Sequence, residues 1–172
     1  MDSPPKTKSA EADPDNMHSH AKADEKILVS ACLAGVNCTF RQTNNLNNKI
    51  KLLVDNEGAI ALCPEVYGGL GVPRENMELV GGDGNGVLDN KARAITSSGR
   101  DVTKAVAAGS LKVLAVVKKA NIKKAILKSN SPTCGSGSIY DGTFSKKLKN
   151  GDGVLAALLK RNNITVKTEI EE

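Results

Sequence analysis

At 172 residues, 40% of them hydrophobic, the chain holds apolar material for one domain and is short of the length of two. Tryptophan is absent, and Phe40, Tyr67, Tyr140 and Phe144 are the only large aromatic residues, so the core must be built from Val, Ile, Leu and Ala, as is usual in α/β domains. No apolar run approaches the roughly 20 residues that cross a bilayer, which excludes a membrane-spanning helix. Four cysteines without a hydrophobic leader point to a reducing compartment, the cytoplasm, where thiols serve metals or catalysis.

Residues 1–25 carry three lysines against six acids, a net of −3, so the overall charge of +5 leaves +8 on the remainder. A body that basic attracts polyanions, and tRNA is one partner it suits. No aromatic stacking platform accompanies the lysines, which favours a solvated basic surface over a nucleic-acid interface. The first 25 residues are polar, contain Pro4, Pro5 and Pro14, and lack any apolar period; they read as a disordered tail before one domain over 26–172. His18 and His20, the only histidines, fall in that tail, which makes a Ser-His-Asp or Cys-His arrangement a poor account of any catalysis.

The run Lys26–Ala31 is apolar on both faces, as a buried parallel strand is, and Cys32 closes it. After the polar loop Gly35–Asn44, the positions Leu46, Ile50, Leu53 and Val54 predict a helix over Leu46–Val54, with Gly58 as its stop. Ala59–Leu62 is a short second strand that ends at Cys63. Cys63–Arg74 is punctuated by Pro64, Gly68, Gly69, Gly71 and Pro73 and reads as a rigid loop lining a site. Met77–Val80 and Ala92–Thr96 form two strands of a hairpin excursion whose turn is the glycine run Gly81–Gly86; no Lys-Ser/Thr follows that run, so it is not a phosphate loop. Asp101 caps a helix from Val102 to about Ala120. Lys124–Leu127 is a strand leading into Ser129–Gly137, which holds Cys134. Asp152 or Gly153 opens a last helix through Lys160, and Ile164–Lys167 makes a last strand. Strand, loop and helix alternate, so the fold class is α/β: a mostly parallel sheet with helices on its faces.

Ligands of open parallel sheets bind beyond the carboxyl ends of the strands, and Cys32, Cys63 and Cys134 all occupy that edge. Three convergent thiolates repel one another without a cation between them, so a thiophilic metal is their natural occupant. Three separate buried small hydrophobes would not explain why each thiol ends a strand near Pro or Gly. A structural zinc wants four closed ligands, and Cys38, six positions after Cys32, is available as the fourth; a non-catalytic four-cysteine zinc or iron–sulfur binding module is therefore the second reading. An iron–sulfur cluster held by three cysteines leaves one iron open for Lewis-acid chemistry.

Four separated motifs, in order, resemble the TudS-like thiouracil and thiouridine desulfidase family. They are Ser30-Ala31-Cys32-Leu33-Ala34-Gly35; Cys63-Pro64-Glu65-Val66 with Gly68-Gly69-Leu70 and Pro73-Arg74; Gly99-Arg100-Asp101-Val102-Thr103; and Lys128 to Gly135 followed by Ile139-Tyr140-Asp141-Gly142. The resemblance runs from about Lys26 to the C-terminus. It implies a Rossmann-like domain with a [4Fe-4S] cluster on Cys32, Cys63 and Cys134, Cys38 being left off. It also implies a non-redox reaction in which the sulfur of a thiolated uracil or thiouridine leaves as sulfide and water oxygen replaces it. The substrate is then a small-molecule thiolated base or nucleoside, with thiolated tRNA as the alternative.

Attack by water needs proton transfers, and Glu65, two positions after Cys63 on a rigid loop, is the carboxylate placed to make them. Ser131, three before Cys134, is the hydroxyl placed to bond substrate or water, its plainer role being to cap the turn at Pro132. One stretch departs from the family pattern. Where relatives read Arg-Tyr-Asp-Gly, this chain reads Thr39-Phe40-Arg41-Gln42, a cation in place of the acid.

Overall fold

Short runs of small and branched apolar residues build the centre of the molecule. The computed structural model describes residues 26–171; the expected tail and both histidines lie outside the described residues. Four strands, β1 (Ile27–Ser30), β2 (Ala59–Leu62), β5 (Lys124–Leu127) and β8 (Thr165–Thr168), pair in parallel in the order β2-β1-β5-β8. Side chains alternate across this sheet with period two. Leu28, Leu62, Ala125 and Leu127 pack with Val113 and Val117 of helix α4 (Thr103–Lys119) and Leu155 and Leu159 of helix α5 (Val154–Arg161). Val29, Ala59 and Ile126 take the other face, with Ile50 of helix α1 (Asn48–Asp55). The expected α/β sheet, with helices on both faces, is the observed one.

Helix α1 starts two residues later than its apolar spacing predicts. The Asn47 side chain accepts the Lys49 and Ile50 amides at 3.1 and 3.3 Å, which leaves Leu46 outside the helix and half exposed. Nor is Gly58 the residue that turns the chain at the other end: Glu57 takes the left-handed conformation, at φ 58°. Helix α4 begins at Thr103, because Asp101 accepts the Thr103 amide at 2.9 Å and Val102 occupies the cap position.

The hairpin excursion exists, as β3 (Met77–Val80) antiparallel to β4 (Arg93–Thr96), but its glycine run is not a simple turn. Residues Gly84–Leu88 form helix α3, capped by Asp83, which accepts the Gly86 amide at 3.1 Å. Gly84 is there for close approach, since a Cβ on it would lie 2.3 Å from the Gly153 carbonyl oxygen. Three further elements carry no clear sequence signal. Pro64–Tyr67 is a four-residue helix, α2, inside the expected loop, and β6 (Ser138–Tyr140) pairs antiparallel with β7 (Leu148–Asn150). The β6–β7 hairpin is held to β3 by two charged groups. Buried Glu78 accepts the Gly142 and Phe144 amides at 2.9 and 3.0 Å, and Lys149 donates to the carbonyls of Leu79, Gly82 and Asp141.

Helix α2 lies backbone-to-backbone on α4. A Cβ on Gly109 of α4 would sit 1.9 Å from the Pro64 carbonyl oxygen, a contact only glycine permits. Gly109→Ala must therefore push α2, and the residues flanking it, off α4. The expected loss is about 1–3 kcal/mol of unfolding free energy, the usual range for overpacking, measured by urea denaturation.

Candidate active site at the carboxyl edge of the sheet

Each strand of the β2-β1-β5 trio delivers one thiol to the same end. Cys32 sits in the 3₁₀ turn Ala31–Ala34 that follows β1, Cys63 occupies the residue between β2 and α2, and Cys134 lies in the loop after β5. All three line one cavity of about 430 Å³, and Cys38 lines it too. The Gly35–Asn45 loop carrying Cys38 is folded back onto the 3₁₀ turn after β1, the Asn45 amide donating to the Cys32 carbonyl at 2.9 Å.

The four thiols do not share one environment. A hydrogen bond from Cys38 lowers the Cys32 thiol below its ordinary value, against the burial that raises it. Hydrogen bonding from Cys38 likewise brings Cys63 from 9.0 down to about 7. Cys38, proton donor to both, is itself raised, and burial pushes Cys134 well up. The Cys38 carbonyl is also an anchor: it accepts Arg74 Nη2 at 2.9 Å and the Cys63 S–H at 3.9 Å.

Glu65, in the first turn of α2, lines the same cavity, and its side chain is 14% exposed. Arg74, only 7% exposed, closes on it: Nε donates to Oε2 at 2.8 Å and Nη2 to the same oxygen. The other oxygen, Oε1, accepts the Thr133 hydroxyl at 3.0 Å. Sequence reasoning found Glu65 but not these partners; Arg74 stood in the quoted motif, nine residues away, with nothing in its spacing to announce the pair. Ser131 also lines the cavity, and its oxygen accepts the amides of Thr133 and Cys134 at 3.2 and 3.1 Å. That is the turn-capping role, and it leaves the hydroxyl hydrogen undirected by the turn.

A second charged group in the wall was missed as well. Lys128, at the end of β5, lines the cavity and pairs with Glu169, which follows β8. In the departing stretch, Phe40 and Arg41 face the cavity with the Arg41 guanidinium 5.1 Å from the Phe40 ring centroid. Gln42 adopts φ 59°, the left-handed conformation.

Residues 27–171 match the 2-thiouracil desulfurase family. The chain belongs to this family. Among relatives of the desulfurase, the YbbK protein of Bacillus subtilis (strain 168) is 48% identical over 145 residues, 84% of this chain and 96% of its own length. Among solved structures, that of TudS, a [4Fe-4S]-dependent thiouracil desulfidase, is 37% identical with a TM-score of 0.75, covering 86% of this chain and 92% of that one.

The donor set of this desulfurase suits an iron–sulfur cluster: all sulfur, from separate strand ends, around a cavity rather than at a point. A structural zinc wants its four ligands closed around one point. Among the described residues, no helix is long and apolar enough to cross a membrane. In cluster-free protein, alkylation of Cys63 is expected to reach half its plateau rate at about pH 7. Cys38→Ala removes the stabilising donor and should move that midpoint up toward 9.0, while Cys134 stays unlabelled until the protein unfolds. Mass-spectrometric labelling against pH measures all three thiols at once.

Proposed function

We propose that the protein is a [4Fe-4S]-dependent desulfidase that exchanges the sulfur of a thiolated uracil or thiouridine for oxygen. The observation that carries this is the convergence of Cys32, Cys63 and Cys134 on one cavity that also holds a fixed carboxylate, Glu65. Family membership and the likeness to the thiouracil desulfidase TudS support the same substrate class. A cavity of about 430 Å³ lies within the range of about 300–1,000 Å³ usual for small-molecule sites, and Phe40 and Tyr140 are the aromatic residues of its wall. Four free thiols fit a reducing compartment, the cytoplasm.

Cys32, Cys63 and Cys134 would hold the cluster, and Cys38, the hydrogen-bond donor to Cys32 and Cys63, would not. When bound, the cluster supplies a thiophilic Lewis acid for the thiocarbonyl sulfur. Glu65 prepares the water. Its Oε2 is taken by Arg74, so Oε1, which accepts only from Thr133, is the atom able to receive a proton from the attacking water. Ser131 orients substrate: with its oxygen occupied by two amides, its hydrogen is left to donate to an oxygen or nitrogen of the ring. The net change is thiocarbonyl plus water to carbonyl plus hydrogen sulfide. No electrons are exchanged.

Anaerobic reconstitution should give a brown protein that releases sulfide from 2- or 4-thiouracil or a thiouridine; a colourless, iron-free protein would sink the proposal. Cys32→Ala, Cys63→Ala and Cys134→Ala should each abolish iron binding, whereas Cys38→Ala should keep it. Glu65→Gln should retain iron and lose at least about 100-fold in kcat, the scale of general-base catalysis. Iron analysis beside sulfide release separates the two effects.

A further inference from the structure

Desulfurisation creates a negative charge beside a wall of thiolates. As the thiocarbonyl carbon gains its bond to water oxygen, the C–S bond breaks with its electron pair on sulfur. One water proton goes to Glu65 and the other to the departing sulfur, which leaves as hydrosulfide. An anion next to three cysteine sulfurs is repelled unless a cation in the same wall offsets them.

Three cations line the cavity: Arg41, Arg74 and Lys128. Arg74 is committed to Glu65 and to the carbonyls of Gly71 and Cys38, with four of its five N–H donors spent. Arg41 lies along the Phe40 ring and is exposed. Lys128 differs from both. Its ammonium has three donors; one goes to Glu169 and one to the Ser129 hydroxyl at 2.9 Å, which leaves a third. The head is aimed rather than loose. Glu169 accepts the Ser129 amide and the Ser129 hydroxyl, both at 2.8 Å, in addition to Lys128, so the loop after β5 and the segment after β8 fix it together. The Lys128 amide is itself tied to the Ser30 hydroxyl, 2.9 Å away at the end of β1 and two residues before Cys32. A buried serine, a loop serine and a carboxylate just beyond the edge strand β8 thus hold one lysine of the cavity wall in place.

We propose that Lys128 is a further catalytic residue of this site, donating its remaining N–H to the hydrosulfide formed from the substrate, with Glu169 and Ser129 as its positioning residues. The assignment rests on the desulfurisation reading. It explains why a lysine is held at two of its three donors where a salt bridge for stability alone would gain little from facing a cavity.

The test is made on the cluster-loaded full chain. Hydrosulfide is titrated anaerobically and its binding followed by cluster absorption, beside steady-state turnover of 2-thiouracil. Lys128→Met should keep the wild-type iron count and a KM within about twofold, while hydrosulfide affinity and kcat each fall about 10- to 100-fold, the worth of one charge-assisted hydrogen bond. Lys128→Arg should recover most of both. If Lys128→Met fails to load iron, Glu169→Gln decides: it keeps an acceptor for the Ser129 amide but frees the ammonium, and should weaken hydrosulfide binding with KM unchanged. Hydrosulfide bound as tightly by an iron-replete variant as by wild type overturns the proposal. So does a fall in thermal stability with kcat and hydrosulfide affinity intact, since that marks the pair as a staple. Failure of the desulfurisation reading looks different: wild type itself releases no sulfide, and the hydrosulfide titration still rules for or against Lys128.

Discussion

The ion pair between Arg74 and Glu65 joins the loops that carry the cysteines. Through Glu65 it fixes the first turn of α2 next to Cys63; through the Cys38 carbonyl it holds the Gly35–Asn45 loop; and through Thr133, bonded to the other carboxylate oxygen, it reaches the residue before Cys134. The Arg74 amide adds a bond to the Phe40 carbonyl at 2.9 Å. Both side chains are almost wholly buried, so each charge depends on the other: removing one partner of such a pair typically costs about 3–5 kcal/mol, because the survivor is left uncompensated. Strand order brings the three thiols to one edge, but strands alone leave their loops free to splay. The guanidinium supplies the cross-links.

Those thiols are unequal before any cluster is present, and the inequality follows from placement. Cys32 and Cys63 share the Cys38 hydrogen as a donor, so their charged forms are favoured. Cys134 lies deepest, among the Leu and Val side chains beneath the sheet edge, and losing its proton there without a cation is costly. A metal centre displaces a proton from each thiol it binds, and a buried thiol would yield its own only to such a charge. The thiols at β1 and β2 are thus made more acidic by hydrogen bonding, while burial keeps the thiol after β5 protonated.

What could be read from sequence depended on whether the signal was local. Ile27–Ser30, Ala59–Leu62 and Lys124–Leu127 are apolar runs with a thiol close behind, so the three cysteines could be placed at one edge before any contact was known. Four-residue α2 begins at a proline inside a stretch dense with glycine, and α3 is written in glycines of low helix propensity; both are held by tertiary contact, at Gly109 and Gly153, which no local pattern encodes. Strands β6 and β7 are three residues each and depend on Glu78 reaching over from β3 and on Lys149 of β7 reaching back to the Leu79 and Gly82 carbonyls. Glu65 was legible as a carboxylate near a cysteine. Its partners Arg74 and Thr133 were not, nor was the pairing of Lys128 with Glu169 across 41 positions, because side-chain pairing at such separations follows only from the folded topology.

The departing stretch Thr39–Gln42 meets the Glu65–Arg74 pair through its main chain alone. Its backbone turn is kept without glycine: the Gln42 amide donates to the Thr39 carbonyl at 3.0 Å, and the Thr39 and Thr43 hydroxyls meet at 2.8 Å. Gln42 accepts a left-handed φ that costs an ordinary side chain on the order of 1 kcal/mol, and the paired threonines offset it. Glu65 and Ser131 draw no hydrogen bond from these side chains. Glu65 is bound by Arg74 and Thr133, Ser131 by its own turn, and only the Phe40 carbonyl, a main-chain atom, is used by Arg74. What changes is the charge at the rim, where Arg41 now rests on Phe40 in place of an acid. The stretch thus keeps its turn and spares every side-chain hydrogen bond to Glu65 and Ser131 while setting a cation against an aromatic ring of the cavity wall.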